Sequence, residues 1–361
     1  MNRLFFVLLS SLLTVAACKE DKPDDQVFDR KLMLTRYADS VLAPGSMRAA
    51  NAMGTLLDSI QNLRSEGDIP ALQGARNAWR KAVMAFQELE AAQVGPAADL
   101  QVQLFGNYFP ADTNGLKSRL ANGNWGLNDM ATLRGFASLE YLLWQPGIAD
   151  QTLAEQSRVE RGTYLHFLAT QLDALINEVA NEWKGTYKST FIAADGDDVA
   201  SSLSIMVNQF NKGHDHTKRY RVGVPTGYTG NDLTGPADPG KGEGMYSRSS
   251  ALICEAWLRA YQRVLNGNTP YTEGLGLLDY ADAVGVPDAQ GRTLGKRIND
   301  QFELCYTAVR NTGNDWAGTM KTNRQPQINL FNELKKLLVL TKVELPSAVG
   351  VSISYQDSDG D

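Results

Sequence analysis

The segment from Arg134 to Trp144 constrains the fold most, because it is apolar almost all round and yet has one acid in its middle, Glu140. A helix that is apolar on every side belongs in a core, so other elements must surround this one. An unpaired charge in a protein interior is costly, so Glu140 must be paired, hydrogen-bonded or protonated. The fold must therefore supply a partner for this side chain.

The rest of the chain also has helical patterning, with apolar residues at spacings of three and four. In the first half, the pattern predicts helices over 27–42, 47–63, 71–92, 129–144 and 150–183. In the second half, it predicts helices over 199–220, 245–265, 274–284, 294–311 and 325–343. Residues 95–128 are rich in Gly, Asn and Pro, which predicts an irregular crossover. Alternating apolar and polar residues after Leu345 predict a short C-terminal strand.

Residues 1–18 have the pattern of an export signal: Arg3, an apolar run, and then Val15-Ala16-Ala17-Cys18. The last four residues resemble a lipobox, in which the cysteine is acylated. Cys18 would then anchor the protein to a membrane that the chain does not span. A plain secretory signal cleaved after Ala17 is the alternative.

Residues 19–26 are charged, contain a proline and have no apolar face, so they predict a flexible tether. Their lysine and acidic residues resemble the signal that sends some lipoproteins of Bacteroidetes to the cell surface. We therefore expect an outer-membrane lipoprotein that faces either the periplasm or the outside. The mature part is too long for one small core, so we expect two domains, 27–190 and 191–361.

The segment around Glu140 also resembles a family signature. Gly135 and Glu140, followed by Tyr141-Leu142-Leu143-Trp144, are similar to the Gly-x-His-x-x-Glu signature of the imelysin family of bacterial envelope proteins. In this register Ala137 stands where the signature has histidine. A histidine and a glutamate three apart share one helix face and can hold a metal ion between them. Here that pair is incomplete, which weakens the case for metal-dependent hydrolysis.

Further landmarks follow in the order in which the family has them: the helix that contains Trp79, the turn Arg221–Pro225, the segment Tyr246–Ser250, and the ending 347–361. The resemblance implies an all-α fold of two helical bundles in one chain, with the signature glutamate near the interface between them. It also implies an association with iron acquisition and with a peptidase classification.

The hypothesis that we favour is a lipid-anchored binding or uptake component for iron or an iron-bearing ligand. Its site would be a cleft that contains Glu140, Arg221, Tyr246, Ser247 and Ser250, with Arg221 meeting Glu140. Partners would be the membrane, a small ligand or metal, and envelope uptake proteins. A metallohydrolase and a purely structural lipoprotein are the alternatives. Nucleic acid is not an expected partner, because the net charge is −6 and the pI is near 5.3.

The sequence identifies no cofactor with certainty. Iron or another divalent metal is the candidate that it leaves open. His214 and His216 are further metal candidates, but on a helix two residues apart they point in nearly opposite directions, so exposed polar positions are the default expectation. Cys254 and Cys305 lie on two predicted helices, either as buried thiols or as a disulfide.

Overall fold

The computed structural model describes residues 28–230 and 232–355. About 70% of the structure is helical, and the predicted all-α class is confirmed. The described residues contain no strand, only an isolated antiparallel bridge between Tyr228 and Leu233. The predicted export signal, Cys18 and the predicted tether lie outside the described residues. Within the described residues, no helix has the length and apolar character needed to cross a bilayer.

The first half contains ten α-helices among the described residues: α1 (Arg30–Arg36), α2 (Ala43–Glu66), α3 (Ile69–Ala91), α4 (Pro96–Asp99), α5 (Val102–Gly106), α6 (Thr113–Asn122), α7 (Gly135–Leu143), α8 (Asp150–Gln156), α9 (Glu160–Lys184) and α10 (Tyr187–Ala193). The described residues of the second half contain eight more: α11 (Ser202–His216), α12 (Val224–Thr226), α13 (Ser250–Asn266), α14 (Leu277–Val284), α15 (Leu294–Asn311), α16 (Trp316–Thr319), α17 (Gln325–Val339) and α18 (Leu345–Val349).

Over residues 28–230 and 232–355, three π-helical turns join consecutive α-helices without a break in the helical path: Tyr37–Leu42, Thr217–Gly223 and Leu340–Glu344. The connecting segments of the same ranges contain two short 3-10 helices, Ala131–Leu133 and Pro239–Lys241. A π-turn shifts the register of the side chains that follow it, and such turns are frequent at functional sites.

Helices α2, α3, α7 and α9 pack against one another in the first half, and α13, α14, α15 and α17 do so in the second. We call these the first and second helical groups. Helix α13 also packs on α3, which joins the two groups. The division at residues 190 and 191 stays a prediction, but the contact between α3 and α13 is the place where residues from both halves can form one site.

The predicted C-terminal strand is wrong over the described residues. Residues 345–349 form α18, and the extended segment after it pairs with a side chain and not with another strand. Asn208 Nδ2 donates to the carbonyl of Ser352 at 3.0 Å, and Asn208 Oδ1 accepts from the backbone N–H of Ser354 at 2.7 Å. One amide side chain thus satisfies the backbone groups that a neighbouring strand would satisfy.

Cys254 and Cys305 are both buried and free, as the buried-thiol alternative expects. Burial raises the pKa of the Cys254 thiol to about 12, so this thiol is inert near neutral pH.

Candidate functional site

Glu140 lies in α7, a short helix whose nine residues are all buried. Neighbouring side chains satisfy its backbone: Arg76 Nε donates to the carbonyl of Leu143 at 2.9 Å, and Arg161 Nη1 donates to that of Leu142 at 3.0 Å. The last carbonyls of a helix have no partner within it, so these arginines stabilise the helix end inside the core.

Gly135 begins α7 with φ of +73°, in the left-handed region that favours glycine. A Cβ at this position would lie 2.2 Å from the carbonyl oxygen of Gly106. Any residue with a Cβ would therefore push α7 away from the backbone of Phe105 and Gly106. The signature glycine therefore has a structural role, which is to let α7 enter the core and bring Glu140 with it.

The partner of Glu140 comes from the second half of the chain. The backbone N–H of Ser247 donates to Glu140 Oε1 at 2.7 Å, and the glutamate is only 3% exposed. Helix α13 was expected to begin at Met245, but it begins at Ser250. The five preceding residues instead form a turn that presents the Ser247 N–H to α7.

The turn 244–249 is held in an uncommon backbone conformation. Gly244 has φ of +67°, and Arg248, a residue with a Cβ, has φ of +54°. A left-handed non-glycine residue costs roughly 1–2 kcal/mol, and such strain persists where surrounding contacts enforce it. Here the Ser249 N–H donates to the Gly244 carbonyl at 2.8 Å, and Ser250 Oγ donates to the Glu243 carbonyl at 2.6 Å.

Burial raises the pKa of Glu140 to about 7, and the negative charge of Glu243 adds to this effect. The hydroxyl and N–H of Ser247 act in the opposite direction, because they stabilise the carboxylate. Near neutral pH both protonation states are therefore populated. A carboxyl group with its pKa near 7 can gain or lose a proton, or exchange its partner for a ligand, at small energetic cost.

Arg80 is a basic side chain on the rim of this site, by which we mean the residues around Glu140 and Ser247. Its Nη2 donates to the carbonyl of Ser247 at 3.3 Å, and its guanidinium lies 5.0 Å from the ring centre of Trp144. Burial and the neighbouring Arg76 lower the pKa of Arg80, whereas Glu140 raises it. Tyr246 is half-buried, with its ring 5.3 Å from that of Tyr141. The rim around Glu140 thus includes the Arg80 guanidinium and several aromatic rings.

The predicted pairing of Glu140 with Arg221 is wrong, because two other acids hold the guanidinium. Arg221 Nη2 lies 2.5 Å from Glu90 Oε2, and Arg221 Nε lies 2.6 Å from Glu243 Oε2. The second contact is an ion pair without hydrogen-bond alignment, since neither atom has a hydrogen-bond partner. The π-turn Thr217–Gly223 carries Arg221 into this position.

Asn107 joins the two acids. Its Nδ2 donates to Glu90 Oε2 at 3.1 Å and to Glu243 Oε1 at 2.6 Å. We call Glu90, Asn107, Arg221 and Glu243 the buried charge cluster; all four are at most 6% exposed. Burial raises the pKa of Glu243 to about 7 despite the guanidinium, because two carboxylates share one cation. The cluster therefore binds a proton more readily than an exposed glutamate does.

Sequence reasoning missed three members of this cluster. Glu90 had a usable signal, because it lies four residues after Phe86 on the buried face of α3, as Glu140 lies on α7. Glu243 and Asn107 are in irregular segments, where no periodicity indicates which side chains turn inward. Ser250, a predicted ligand residue, is buried and binds the backbone of Glu243.

The histidine candidates are not exposed polar positions. His214 is fully buried, with Nδ1 3.3 Å from Thr341 Oγ1 and its ring against Tyr261, and burial lowers its pKa to about 3. His216 lies with its ring 5.9 Å from that of Phe109, and burial lowers its pKa to about 3 as well.

A metal centre does not fit the residues around Glu140. Ala137 lies one helical turn before Glu140, where a second ligand on α7 would stand, and has no donor atom. In the part of the chain that the structure describes, no group of three or more His, Cys, Asp or Glu residues could hold a metal ion. We therefore derive no metal-dependent step.

The family model for imelysin, classed as a peptidase family, matches residues 43–339. The chain belongs to the imelysin family. The imelysin match spans all of α2 to α17, including α7 with Gly135 and Glu140, and the turn with Ser247. No curated protein matches the chain.

Two solved imelysin-like structures are similar to this one. An imelysin-like protein from Psychrobacter arcticum 273-4 matches with a TM-score of 0.71 at 17% identity, over 90% of this chain and 96% of that chain. A protein named as an iron-regulated protein A precursor, from Parabacteroides distasonis ATCC 8503, matches with a TM-score of 0.67 at 18% identity, over 86% and 94% of the two chains. At these identities the likeness shows the fold alone.

Proposed function

We propose that this imelysin-family protein is a lipid-anchored binding component of the bacterial envelope, which captures a small ligand where α7 meets the turn 244–249. The observation that carries the proposal is the hydrogen bond between Glu140 and the Ser247 N–H. It joins a buried carboxyl group to a strained turn from the other half of the chain. A ligand that donates a hydrogen bond or brings a positive charge can replace that N–H.

The class of ligand follows from the groups on this rim. Glu140 supplies an acceptor, Arg80 supplies a donor, and Tyr246 and Trp144 supply aromatic surface. These groups fit a small polar molecule of mixed charge better than a bare ion. Iron would then arrive already coordinated by the oxygen atoms of that molecule, as in a ferric carboxylate complex. A similar structure named as an iron-regulated protein supports the choice of iron as the first candidate.

The alternatives have less support. A metallohydrolase needs a metal-held water and usually three protein ligands, and the residues around Glu140 do not offer them. A structural role remains the competing explanation, because buried ion pairs can serve specificity alone. Anchoring through Cys18, and an outer-membrane location on either face, remain part of the proposal.

Iron retention tests the proposal. Soluble protein with Cys18→Ala is incubated with ferric citrate, desalted and subjected to elemental analysis, alone and with Glu140→Gln. The glutamine keeps the volume and an oxygen for the Ser247 N–H, so we expect an intact fold but at least tenfold less retained iron. Glu88→Gln is the control, because Glu88 is a partly buried acid of α3 that is paired with Arg48 and lies outside the proposed site.

The protein with Glu88→Gln should retain as much iron as the soluble parent protein with Cys18→Ala alone. If Glu140→Gln also retains it, or if none of the proteins does, the binding proposal for ferric carboxylates is wrong.

A further inference from the structure

The end of the molecule where the described chain begins has contacts among three distant segments. The ring of Phe28 packs on Tyr280 of α14, with the ring centres 4.9 Å apart. Arg30, in the first turn of α1, forms an ion pair with Asp197, in the loop after α10, and is also close to Tyr280. The start of α1 therefore contacts both the loop 194–201, through Arg30, and the outer face of α14, through Phe28.

Four large aliphatic side chains are exposed on these segments. Val286 is 92% exposed and Val199 77%, and Val284 and Leu32 are 49% and 44% exposed. Val284 follows Tyr280 by four residues, so the two share one face of α14. Val286 lies two residues after Val284, Val199 two after Asp197, and Leu32 four after Phe28. A single exposed aliphatic residue is ordinary, but several on adjoining segments offer apolar surface that water solvates poorly. We call this set, with Phe28 and Tyr280, the Phe28 patch.

We propose that the Phe28 patch rests on the bilayer to which Cys18 anchors the protein. This inference rests on the proposed lipid anchor. Nine residues separate Cys18 from Phe28, and nine residues can span at most about 30 Å. The anchor therefore keeps the patch close to the lipid surface at a high effective concentration, so a small apolar patch is enough to hold one orientation.

Charge does not supply the attraction. Arg30 is paired with Asp197, and Asp198 accepts a hydrogen bond from the backbone N–H of Ala200. The loop 194–201 adds Asp195 to these acids. Because the patch has no excess of basic residues, its contact with lipid should depend on apolar burial. It should form on zwitterionic vesicles and persist at high salt.

Depth-dependent quenching tests the orientation. Lipidated full-length protein with Val286→Cys is labelled with an environment-sensitive fluorophore and reconstituted into phosphatidylcholine–phosphatidylethanolamine vesicles that contain a nitroxide-labelled lipid. Cys254 and Cys305 are buried, so labelling is selective. The control is Leu252→Cys, an exposed position about 20 Å along α13 from the end that adjoins α14.

We expect severalfold stronger quenching at position 286 than at 252, unchanged by high salt and reduced when Val284→Asp is added. Equal quenching at both positions would overturn the inference. Quenching that depends on protein concentration would also overturn it, since a second copy would then cover the patch. If Cys18→Ala does not release the protein from membranes, the anchor is wrong and this inference fails with it. Iron retention by soluble protein does not depend on the anchor, so the binding role of Glu140 is judged separately.

Discussion

Glu140 is a buried carboxyl group that accepts hydrogen bonds from Ser247 and from the backbone of Tyr246, both in the turn 244–249. Its sequence context predicted burial and the need for a partner, and both are found. The partner itself could not be predicted, because it is a backbone group whose position depends on the left-handed residues of a distant turn. The basic side chain that the sequence offered, Arg221, is held by Glu90 and Glu243 instead.

Glu140→Gln should change how stability depends on pH. The pKa of this carboxyl group is raised from 4.5 to about 7 in the folded protein. Its contribution to stability is therefore fully present below about pH 4.5 and is lost as the pH rises to about 7. Above that pH the glutamine variant should be more stable than the parent, by up to about 3 kcal/mol.

Urea unfolding of both proteins between about pH 5 and 8 measures this difference. Glu243, whose pKa is also about 7, keeps part of the pH dependence in the variant. Two parallel profiles would show that Glu140 is not buried as described.

Removing Arg221 should lower the free energy of unfolding far more than neutralising Glu243 does. Arg221→Met leaves Glu90 and Glu243 buried without a cation, and breaking a buried pair in this way costs about 3–5 kcal/mol. Glu243→Gln leaves one carboxylate for one guanidinium and keeps an oxygen for Asn107, so it should cost about 1 kcal/mol or less. Chemical denaturation compares the two variants, and similar losses from both would contradict the charge balance of the buried charge cluster.

At the scale of elements, the helical pattern predicted most of the long helices, because each buries one face and the periodicity records that face. The predicted 325–343 is α17 with a π-turn after Val339, and the predicted 199–220 is α11 with a π-turn after His216. A π-turn inserts a residue without removing the apolar stripe, so the pattern cannot locate it. The start of α13 was missed because a polar segment such as 245–249 fits a helix start or a turn equally well.

Helix α7 offers a test of how tightly the core holds an element. Gly135→Ala would place a Cβ 2.2 Å from the Gly106 carbonyl oxygen. It would also force an alanine into a backbone conformation with φ of +73°. Gly123 is the matched control, with φ of +63° at the end of α6 and no atom within 4 Å of the place that an added methyl group would take. Gly123→Ala should cost about 1 kcal/mol and Gly135→Ala at least about 3. Equal thermal shifts would mean that α7 can move away from Gly106.

At the scale of the whole molecule, the site depends on both helical groups. Helices α3 and α7 supply Glu90, Arg80 and Glu140, while the segments before α13 supply Arg221, Glu243 and Ser247. The contact of α13 with α3 brings these segments together. A binding site assembled in this way responds to any shift between the groups, and ligand capture can in turn hold the groups in one arrangement.

The pH dependence of ligand capture tests the binding role of Glu140 most directly. Soluble protein with Cys18→Ala, and the same protein with Glu140→Gln, are loaded with ferric citrate from about pH 6 to about pH 8, and the retained iron is measured at each pH. The variant corrects for changes in the probe itself. If the carboxylate form captures the ligand, retention by the parent should rise through about pH 7, whereas the variant should retain little at any pH. Equal retention by the two proteins across this range would contradict a binding role for Glu140.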